Sequence, residues 1–315
     1  MKSSPVFSVV IPVYKNEENV SELLDQLSRF SKELGSEPEL VFVIDGSPDN
    51  SEQKLLEGLI RANLVFKLVV HSRNFGAFAA VRTGLSYASG NYVGVMAADL
   101  QEPPELMFKM FKLLSEDSCD IALGVRTKRR DSWIADKLSN LSWAILKKLV
   151  FPEMPQGGVD VFACTKKVAK ELLELSENNS SLVGQLFWLG YRRIEVPYER
   201  LPRTKGKSGW TLSKKIKYFL DSMFSFTDFP IKFLTYTGLI GTLLTFCIAI
   251  IVLFAYLSGN ISSPGYTPLM LVMLFSTFLI VSGMGILGSY IWRTFENTKQ
   301  RPLAVVRTLT SRNNE

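Results

Sequence analysis

The residues of this chain best suited to chemistry follow short apolar runs, at points where a strand would end. Asp99 is one of them, and Gln101 stands two positions later. Alternation along an extended segment puts both side chains on the same side, and their oxygens suit a hard cation that bridges two phosphates. On spacing alone, a loop without metal is the alternative.

Asp45 follows another apolar run, in a turn with Gly46, Ser47 and Pro48. A carboxylate there can accept hydrogen bonds from a base or a ribose, although a helix N-cap or an Asx turn would use the same residue. No G-x-G-x-x-G follows a predicted strand, and the chain has no G-x-x-x-x-G-K-[ST]. Neither a dinucleotide-binding fold nor a P-loop is therefore indicated.

The elements that position these residues alternate along the first half of the chain. Strands are predicted at 6–13, 39–44, 65–70, 92–96 and 120–125, with helices near 17–34, 51–63, 75–89 and 104–116. Strands that are apolar nearly throughout are typical of a parallel sheet covered on both faces, which predicts an α/β layer fold. Ligands of such sheets bind beyond the carboxyl ends of the strands. The polar strand ends should therefore meet in one crevice, at 14–17, 45–47, 71–74, 99–102 and 126.

The net charge of +6 is unevenly placed along the 315 residues. Residues 200–232 carry eight Lys or Arg and two Asp, and residues 293–315 carry five Lys or Arg and two Glu, which leaves 1–199 with a net charge of −3. Basic segments beside a membrane suit anionic or phosphorylated lipids, or serve as topology determinants alone. Nucleic-acid binding would need a basic face on the soluble part, so no nucleic-acid partner is expected.

The three cysteines are far apart and His71 is the single histidine, so neither a disulfide framework nor a zinc site is indicated.

Residues 233–292 are sixty consecutive positions without Asp, Glu, Lys, Arg or His. A bilayer-spanning helix needs about 20 apolar residues, and the turn formers at 258–265 divide the run into 233–257 and 267–292. The pattern predicts a two-helix transmembrane hairpin, with two buried helices of a soluble core as the alternative. Lys and Arg flank the run and are missing from its turn, which predicts cytoplasmic ends.

Two further stretches, 132–151 and 212–232, have amphipathic patterns and are predicted to lie at the membrane interface, or else to pack against the sheet. The predicted organisation is thus a soluble domain at 1–211 that includes the first amphipathic helix, a juxtamembrane helix at 212–232, the hairpin at 233–292 and a basic tail at 293–315.

Five ordered motifs carry a resemblance to a known family: SVVIPVYKNE at 8–17, VIDGS at 43–47, SRNFG at 72–76, ADLQEPPE at 98–105 and RTKGKS at 203–208. Together they resemble family 2 glycosyltransferases with a GT-A fold. The most similar branch is that of the polyprenyl-phosphate glycosyltransferases, which comprises bactoprenol glucosyltransferases, dolichyl-phosphate mannose synthase and the undecaprenyl-phosphate aminoarabinose transferase. The resemblance spans almost the whole chain, because that branch includes forms with a C-terminal two-helix hairpin.

The resemblance implies a membrane enzyme with a cytoplasmic catalytic domain. It would move a sugar, with inversion, from a nucleotide-diphosphate sugar such as a UDP-sugar to undecaprenyl or another polyprenyl phosphate. The setting would be the bacterial inner membrane, in cell-envelope glycan or lipopolysaccharide modification. A homo-oligomer, specifically a tetramer, is also implied.

Roles for single residues follow from the same resemblance. The nucleoside and donor would be held by Pro12, Tyr14, Glu17, Asp45, Ser47, Arg73 and Gln101. Mg²⁺ or Mn²⁺ would be bound by Asp99 and Gln101. Contacts to phosphate, including that of the acceptor, would come from Arg126, Arg129, Arg130, Arg203 and Lys205. The reaction itself would involve Asp99, Arg126, Asp160 and Arg203, with Asp160 at an acidic position near the sugar.

Two departures from the family pattern bear on these roles. The family usually reads D-x-D where this chain has AAD at 97–99, and D-D-G-S where it has IDGS at 44–47. Losing the first carboxylate removes a possible ligand, which leaves metal dependence open. A catalytically silent membrane scaffold is therefore one alternative. A processive polysaccharide synthase is another, but a single hairpin and the absence of Q-x-x-R-W at 185–189 argue against it.

Overall fold

A computed structural model describes residues 6–127, 147, 150–155, 159–175, 177, 180–202, 212–258 and 265–312. The strands are β1 (Phe7–Val13), β2 (Glu39–Ile44), β3 (Phe66–His71), β4 (Tyr92–Val95), β5 (Ile121–Arg126), β6 (Val159–Thr165), β7 (Arg193–Tyr198) and β8 (Val306–Arg312). The helices are α1 (Val20–Glu33), α2 (Ser51–Arg61), α3 (Ala77–Tyr87), α4 (Pro104–Ser115), α5 (Lys166–Glu174), α6 (Leu182–Trp188), α7 (Leu212–Phe226), α8 (Phe229–Leu257) and α9 (Tyr266–Thr298).

The strands form one eight-stranded sheet in the order β7-β5-β6-β4-β1-β2-β3-β8. The central strands β4, β1, β2 and β3 pair in parallel, and β5 pairs in parallel with β7. β6 and β8 run in the opposite direction to their neighbours. The predicted α/β fold with a mainly parallel sheet is confirmed. Because β6 is reversed, its first residues lie at the same edge as the carboxyl ends of β4 and β5.

Apolar side chains cover both faces of the sheet, as the strand composition predicts. Residues of α1, α2 and α4 pack on one face against alternate positions of β1 and β2, such as Ile11 and Phe42. Residues of α3, α5 and α6 pack on the other face against the intervening positions, such as Val10 and Val43. The five strands and four helices predicted for the first half are all present, with ends within a few residues.

The C-terminal region contains three long helices, α7 to α9, of which α8 and α9 pack against each other. Of the described residues, one segment, Phe275–Thr298 in α9, is long and apolar enough to cross a membrane. The predicted hairpin of two spans is thus matched by two helices, but only one of them meets that criterion. The first predicted amphipathic helix, 132–151, lies almost wholly outside the described residues.

The segment predicted as a basic tail is partly ordered secondary structure. Helix α9 continues to Thr298, and β8 then pairs antiparallel with β3 at the end of the sheet. Arg307 donates to Glu52 of α2 at 2.6 Å, and the N–H of Ser72 donates to the carbonyl of Val305 at 2.9 Å. The chain therefore returns from its apolar helices to the edge of the sheet.

Candidate active site

Charged side chains gather where β4, β5 and β7 end and β6 begins. We call this group the acidic–arginine cluster, and its members are Asp99, Glu102, Arg126, Asp160 and Arg200. Asp99 and Glu102 follow β4, Arg126 ends β5, Asp160 is the second residue of β6, and Arg200 follows β7. The topology brings them together because the reversed β6 starts at the edge where the parallel strands end.

Asp160 holds Arg126 in a bidentate ion pair through the guanidinium Nε and Nη2 atoms. The Tyr198 hydroxyl donates to the same carboxylate at 2.9 Å. Burial opposes the charge of Arg126, but its hydrogen bonds to Asp160 outweigh that effect and raise the pKa of the guanidinium. Burial, helped by the carboxylates of Asp160 and Glu102, raises the pKa of the Tyr198 phenol. Arg126 is thus a fixed cation and Tyr198 a fixed hydrogen-bond donor.

Gln101 ties the exit of β4 to the segment after β7. Its Oε1 accepts from Arg200 Nη2 at 2.6 Å, and its Nε2 donates to the Leu201 carbonyl at 3.1 Å. Arg200 Nη2 also lies 4.0 Å from Asp99 Oδ2. Leu100, between Asp99 and Gln101, has a φ of +61°. This left-handed conformation costs energy for a residue with a side chain of this size. Strain of this kind is common where a backbone is bent to aim functional side chains.

Glu102 is buried among these charges, with 3% of its surface exposed. Its carboxyl accepts a hydrogen bond from the backbone N–H of Ala97. Burial, followed by the neighbouring Asp99 carboxylate, raises the pKa of Glu102 to about 7. The side chain therefore lies against the backbone of the position where this chain lacks an aspartate.

The loops after β1 and β2 form the other half of the crevice. The N–H of Lys15 donates to Ser47 Oγ at 2.7 Å, and the N–H of Glu17 donates to Asp49 Oδ2 at 3.2 Å. Glu17 in turn accepts from the N–H of Asn50 at 3.1 Å. Tyr14 remains 43% exposed beside these contacts. Ser47 and Glu17 thus fasten the two loops together and leave the Tyr14 ring presented outward.

Asp45 is buried, and its carboxylate is occupied by contacts within the protein. Oδ1 pairs with His71 Nδ1 at 2.9 Å and accepts from the N–H of Phe75 at 2.8 Å, while Oδ2 accepts from the N–H of Gly76 at 2.8 Å. Burial opposes ionisation, but His71 and these amides outweigh it and lower the pKa of Asp45. These contacts differ from the N-cap or Asx turn considered above, because through them Asp45 holds the loop after β3.

That loop passes directly over the turn after β2. A Cβ on Gly46, whose φ is +58°, would lie 2.2 Å from the backbone carbon of Arg73, so only glycine fits. The Arg73 guanidinium stacks 4.0 Å from the centre of the Phe75 ring and is exposed. Arg73 is thereby placed at the same end of the sheet as Tyr14.

The family of this chain is identified by comparison with known proteins. The model of glycosyl transferase family 2 matches residues 8–173, more than half of the chain. The chain belongs to glycosyl transferase family 2. An uncharacterised glycosyltransferase of Synechocystis sp. is 32% identical over 303 residues, which cover 96% of this chain and 95% of that protein.

This family 2 glycosyltransferase has other relatives of similar extent. The undecaprenyl-phosphate 4-deoxy-4-formamido-L-arabinose transferase of Edwardsiella ictaluri is 29% identical over 303 residues, covering 96% of this chain and 93% of that protein. Among solved structures, a mannosyltransferase of Pyrobaculum calidifontis in complex with GDP-Man and Mn²⁺ matches with a TM-score of 0.46 and 17% identity. It covers 91% of this chain and 88% of that structure, a likeness too distant to bear on substrate or metal.

The structure brings together some of the glycosyltransferase's predicted site residues and leaves others undescribed. Asp99, Gln101, Arg126 and Asp160 lie in or beside the acidic–arginine cluster, and Pro12, Tyr14, Glu17, Ser47 and Arg73 lie at the β1–β3 end of the same edge. Outside the described residues lie Arg129, Arg130, Arg203 and Lys205.

Sequence reasoning placed Glu102 in the crevice without giving it a role, and it missed three further residues with defined contacts here: Tyr198, Arg200 and Asp49. The QEPPE segment offered a signal for Glu102, whereas Arg200 contacts Gln101 from 99 positions away.

Proposed function

We propose that this protein transfers a sugar from a nucleotide-diphosphate sugar, specifically a UDP-sugar, to a polyprenyl phosphate such as undecaprenyl phosphate. The observation that carries the proposal is the acidic–arginine cluster at the sheet edge, in a family 2 glycosyltransferase with an apolar C-terminal helix. Arg126 supplies a fixed positive charge for phosphate, and the carboxylate of Asp99 supplies oxygen ligands for a cation. The relative named as an undecaprenyl-phosphate transferase supports the acceptor.

The proposed reaction requires little proton transfer. A lipid phosphate has a second pKa near about 6, so its attacking oxygen is already largely anionic at neutral pH. That oxygen forms a bond to the anomeric carbon from the face opposite the nucleoside diphosphate. The bond from the carbon to the diphosphate oxygen breaks, and the diphosphate leaves with the electron pair, which inverts the anomeric centre. The barrier lies in bringing two anions together and stabilising the leaving charge, for which fixed guanidinium groups are suited.

Arg126 and Asp160 act as a unit in this proposal. The bidentate pair sets the plane of the guanidinium, and Tyr198 fixes the carboxylate from its other side. Arg126 faces phosphate, while Asp160 orients it and a sugar hydroxyl rather than removing a proton. Arg203 and Lys205, together with Arg129 and Arg130, are proposed to complete the contacts to the acceptor phosphate.

The nucleoside is proposed to bind at the β1–β3 end of the edge. Tyr14 offers an exposed ring for stacking, Arg73 offers a guanidinium, and Pro12 precedes them in β1. In this half of the crevice, the loops are held in place by the side chains of Ser47, Glu17 and Asp45 through the contacts described above. The direct contacts are therefore assigned to Tyr14 and Arg73.

Mg²⁺ or Mn²⁺ fits the donor set at Asp99. Among the described residues no three His, Cys, Asp or Glu side chains form a ready-made metal site. A cation held by one or two carboxylates and the substrate diphosphate needs no such cage. Asp99, with Gln101 beside it, would hold the cation, which when bound neutralises charge on the leaving diphosphate.

The membrane part of the proposal is a two-helix hairpin at 233–257 and 267–292 in a bacterial inner membrane, with the catalytic domain cytoplasmic. Apolar side chains on both helices point away from the protein, with Leu239 67%, Ile251 66% and Met284 66% exposed. Apolar surface of that extent fits lipid contact. The basic residues of 200–232 would face anionic headgroups, and the protein would act as a homo-oligomer, a tetramer by resemblance, in envelope glycan or lipopolysaccharide modification.

A donor panel tests the proposal. Purified protein in detergent is incubated with undecaprenyl phosphate, Mn²⁺ or Mg²⁺, and a set of labelled UDP-, GDP- and dTDP-sugars, and lipid products are separated and identified by mass spectrometry. One UDP-sugar should give a glycosyl phosphate lipid, and Asp99→Asn should abolish the product. No lipid product from any donor would favour the catalytically silent scaffold.

A further inference from the structure

Two buried polar atoms of the acidic–arginine cluster have no hydrogen-bond partner among the described residues. They are Glu102 Oε2, an acceptor, and Arg200 Nε, a donor. The two side chains are close enough for the charge of Arg200 to act on the carboxyl of Glu102. Leaving a buried polar atom without a partner is energetically costly, so two in one site indicate a ligand that satisfies both.

The two atoms make opposite demands on such a ligand. Glu102 Oε2 needs positive charge or a proton donor, whereas Arg200 Nε needs an acceptor. A divalent cation with a phosphate oxygen bound to it offers both at once. The carboxyl groups of Asp99 and Glu102 lie close enough to repel each other when both are ionised, and a cation between them would relieve that repulsion. A bridging water would also satisfy both atoms, but it would not relieve the repulsion.

We propose that Glu102 and Arg200 complete a cation–diphosphate site at Asp99. Glu102 supplies the carboxylate ligand that Ala97 does not, and Arg200 donates its Nε–H to a phosphate oxygen of the donor. The contact between the Glu102 carboxyl and the Ala97 backbone places the replacement carboxylate beside the position it replaces. This inference rests on the proposed function, because it takes the ligand to be a nucleoside diphosphate.

Mn²⁺ binding by the full-length protein in detergent, measured by electron paramagnetic resonance of free Mn²⁺, tests the role of Glu102. Glu102→Gln should weaken Mn²⁺ affinity by about 10-fold or more, as for loss of one group at a metal site. The matched control is Glu105→Gln, three residues on and exposed, which should bind as the wild type does. Adding Ala97→Asp to Glu102→Gln should restore most of the affinity, which a purely structural role for Glu102 would not allow.

UDP binding tests the role of Arg200. Arg200→Gln should weaken UDP binding in the presence of Mn²⁺ about 10-fold more than it changes the binding of Mn²⁺ alone, with Arg61→Gln, at an exposed position that ends α2, as the control. Thermal unfolding checks that each variant is folded. If Glu102→Gln fails to fold, Glu102→Asp takes its place, and the displaced carboxylate should weaken Mn²⁺ binding.

The outcomes separate this inference from the proposed function. Wild-type Mn²⁺ and UDP affinities in both variants, with sugar transfer by the wild type intact, would overturn the inference alone and indicate a bridging water. A wild-type protein that binds UDP but no Mn²⁺ would also overturn it. A wild-type protein that binds neither would contradict the inference and the proposed donor together.

Discussion

The contacts of Asp160 with Arg126 and Tyr198 bear on the role proposed for this carboxylate. Asp160 accepts three hydrogen bonds, two from Arg126 and one from Tyr198. An aspartate so occupied is better suited to orienting a guanidinium than to removing a proton. Its proposed role is therefore that of a positioning group.

Substitution of Asp160 should separate positioning from base catalysis. Asp160→Asn keeps the shape but weakens the hold on Arg126, and we expect kcat to fall by roughly 10–100-fold, the size of a charged hydrogen bond of about 1.5–3 kcal/mol. The fall should be the same from pH 6 to 9, since Arg126 stays charged. A kcat–pH profile of the wild type that follows a carboxylate pKa, and is lost in Asp160→Asn, would instead indicate a base.

Asp45 should contribute to stability rather than to turnover. The pKa of Asp45 is lower in the folded protein than the value of 3.8 expected in the unfolded chain. Ionised Asp45, paired with His71, therefore stabilises the fold above pH 3.8, and this stabilisation is lost as the pH falls through the pKa of the folded state. Asp45→Asn should therefore lower stability at pH 7 by about 1–3 kcal/mol, with a smaller difference from wild type below pH 4. Thermal unfolding at several pH values measures this, with exposed Asp25→Asn as control; equal melting curves at pH 7 would contradict it.

At the scale of elements, β8 joins the C-terminal segment to the catalytic sheet. It pairs with β3 at the edge of the sheet. His71, the last residue of β3, contacts Asp45, whose side chain holds the loop after β3. An uncovered edge strand exposes unpaired backbone groups and promotes aggregation. The strand therefore links α9 to the candidate site as well as covering the edge of β3.

Removal of β8 should destabilise the soluble domain. Deletion of residues 306–315 should lower the melting temperature and increase aggregation, whereas deletion of 313–315 alone should change neither, because the pairing with β3 ends at Arg312. Size-exclusion chromatography and thermal unfolding in detergent provide the measurement. Unchanged melting after the longer deletion would show that β3 does not depend on this cover.

The strands that could be predicted from the sequence are those with long runs of apolar residues. β1 to β5 are buried runs and were found, whereas β8 is almost wholly exposed and carries alternating polar residues and arginines, so it has no apolar run to detect. At the site, Asp99 and Arg126 were expected at one edge because they follow predicted strands, whereas a place for Asp160 near the sugar came from the family resemblance alone. Arg200 was not, since its contact with Gln101 depends on the pairing of β7 with β5, which a single sequence does not reveal.

The whole molecule combines the acidic–arginine cluster at one edge of the sheet with a C-terminal region that has apolar helices and basic segments. Arg293 near the end of α9 pairs with Asp221 of α7 at 2.7 Å, which ties the amphipathic helix to the candidate membrane span. A lipid phosphate at the membrane surface is the acceptor that both features favour. A soluble sugar acceptor would require neither the apolar helices nor the basic segments.

Acceptor choice is the most direct test of that claim. Full-length protein in lipid vesicles is given its labelled nucleotide sugar together with undecaprenyl phosphate, undecaprenol or a soluble monosaccharide, and the initial rate of transfer to each is measured. We expect a glycosyl phosphate lipid with undecaprenyl phosphate and no product with undecaprenol. The neutral hydroxyl of undecaprenol lacks the negative charge that the arginines are proposed to bind. Transfer to the soluble sugar, with none to undecaprenyl phosphate, would contradict this expectation.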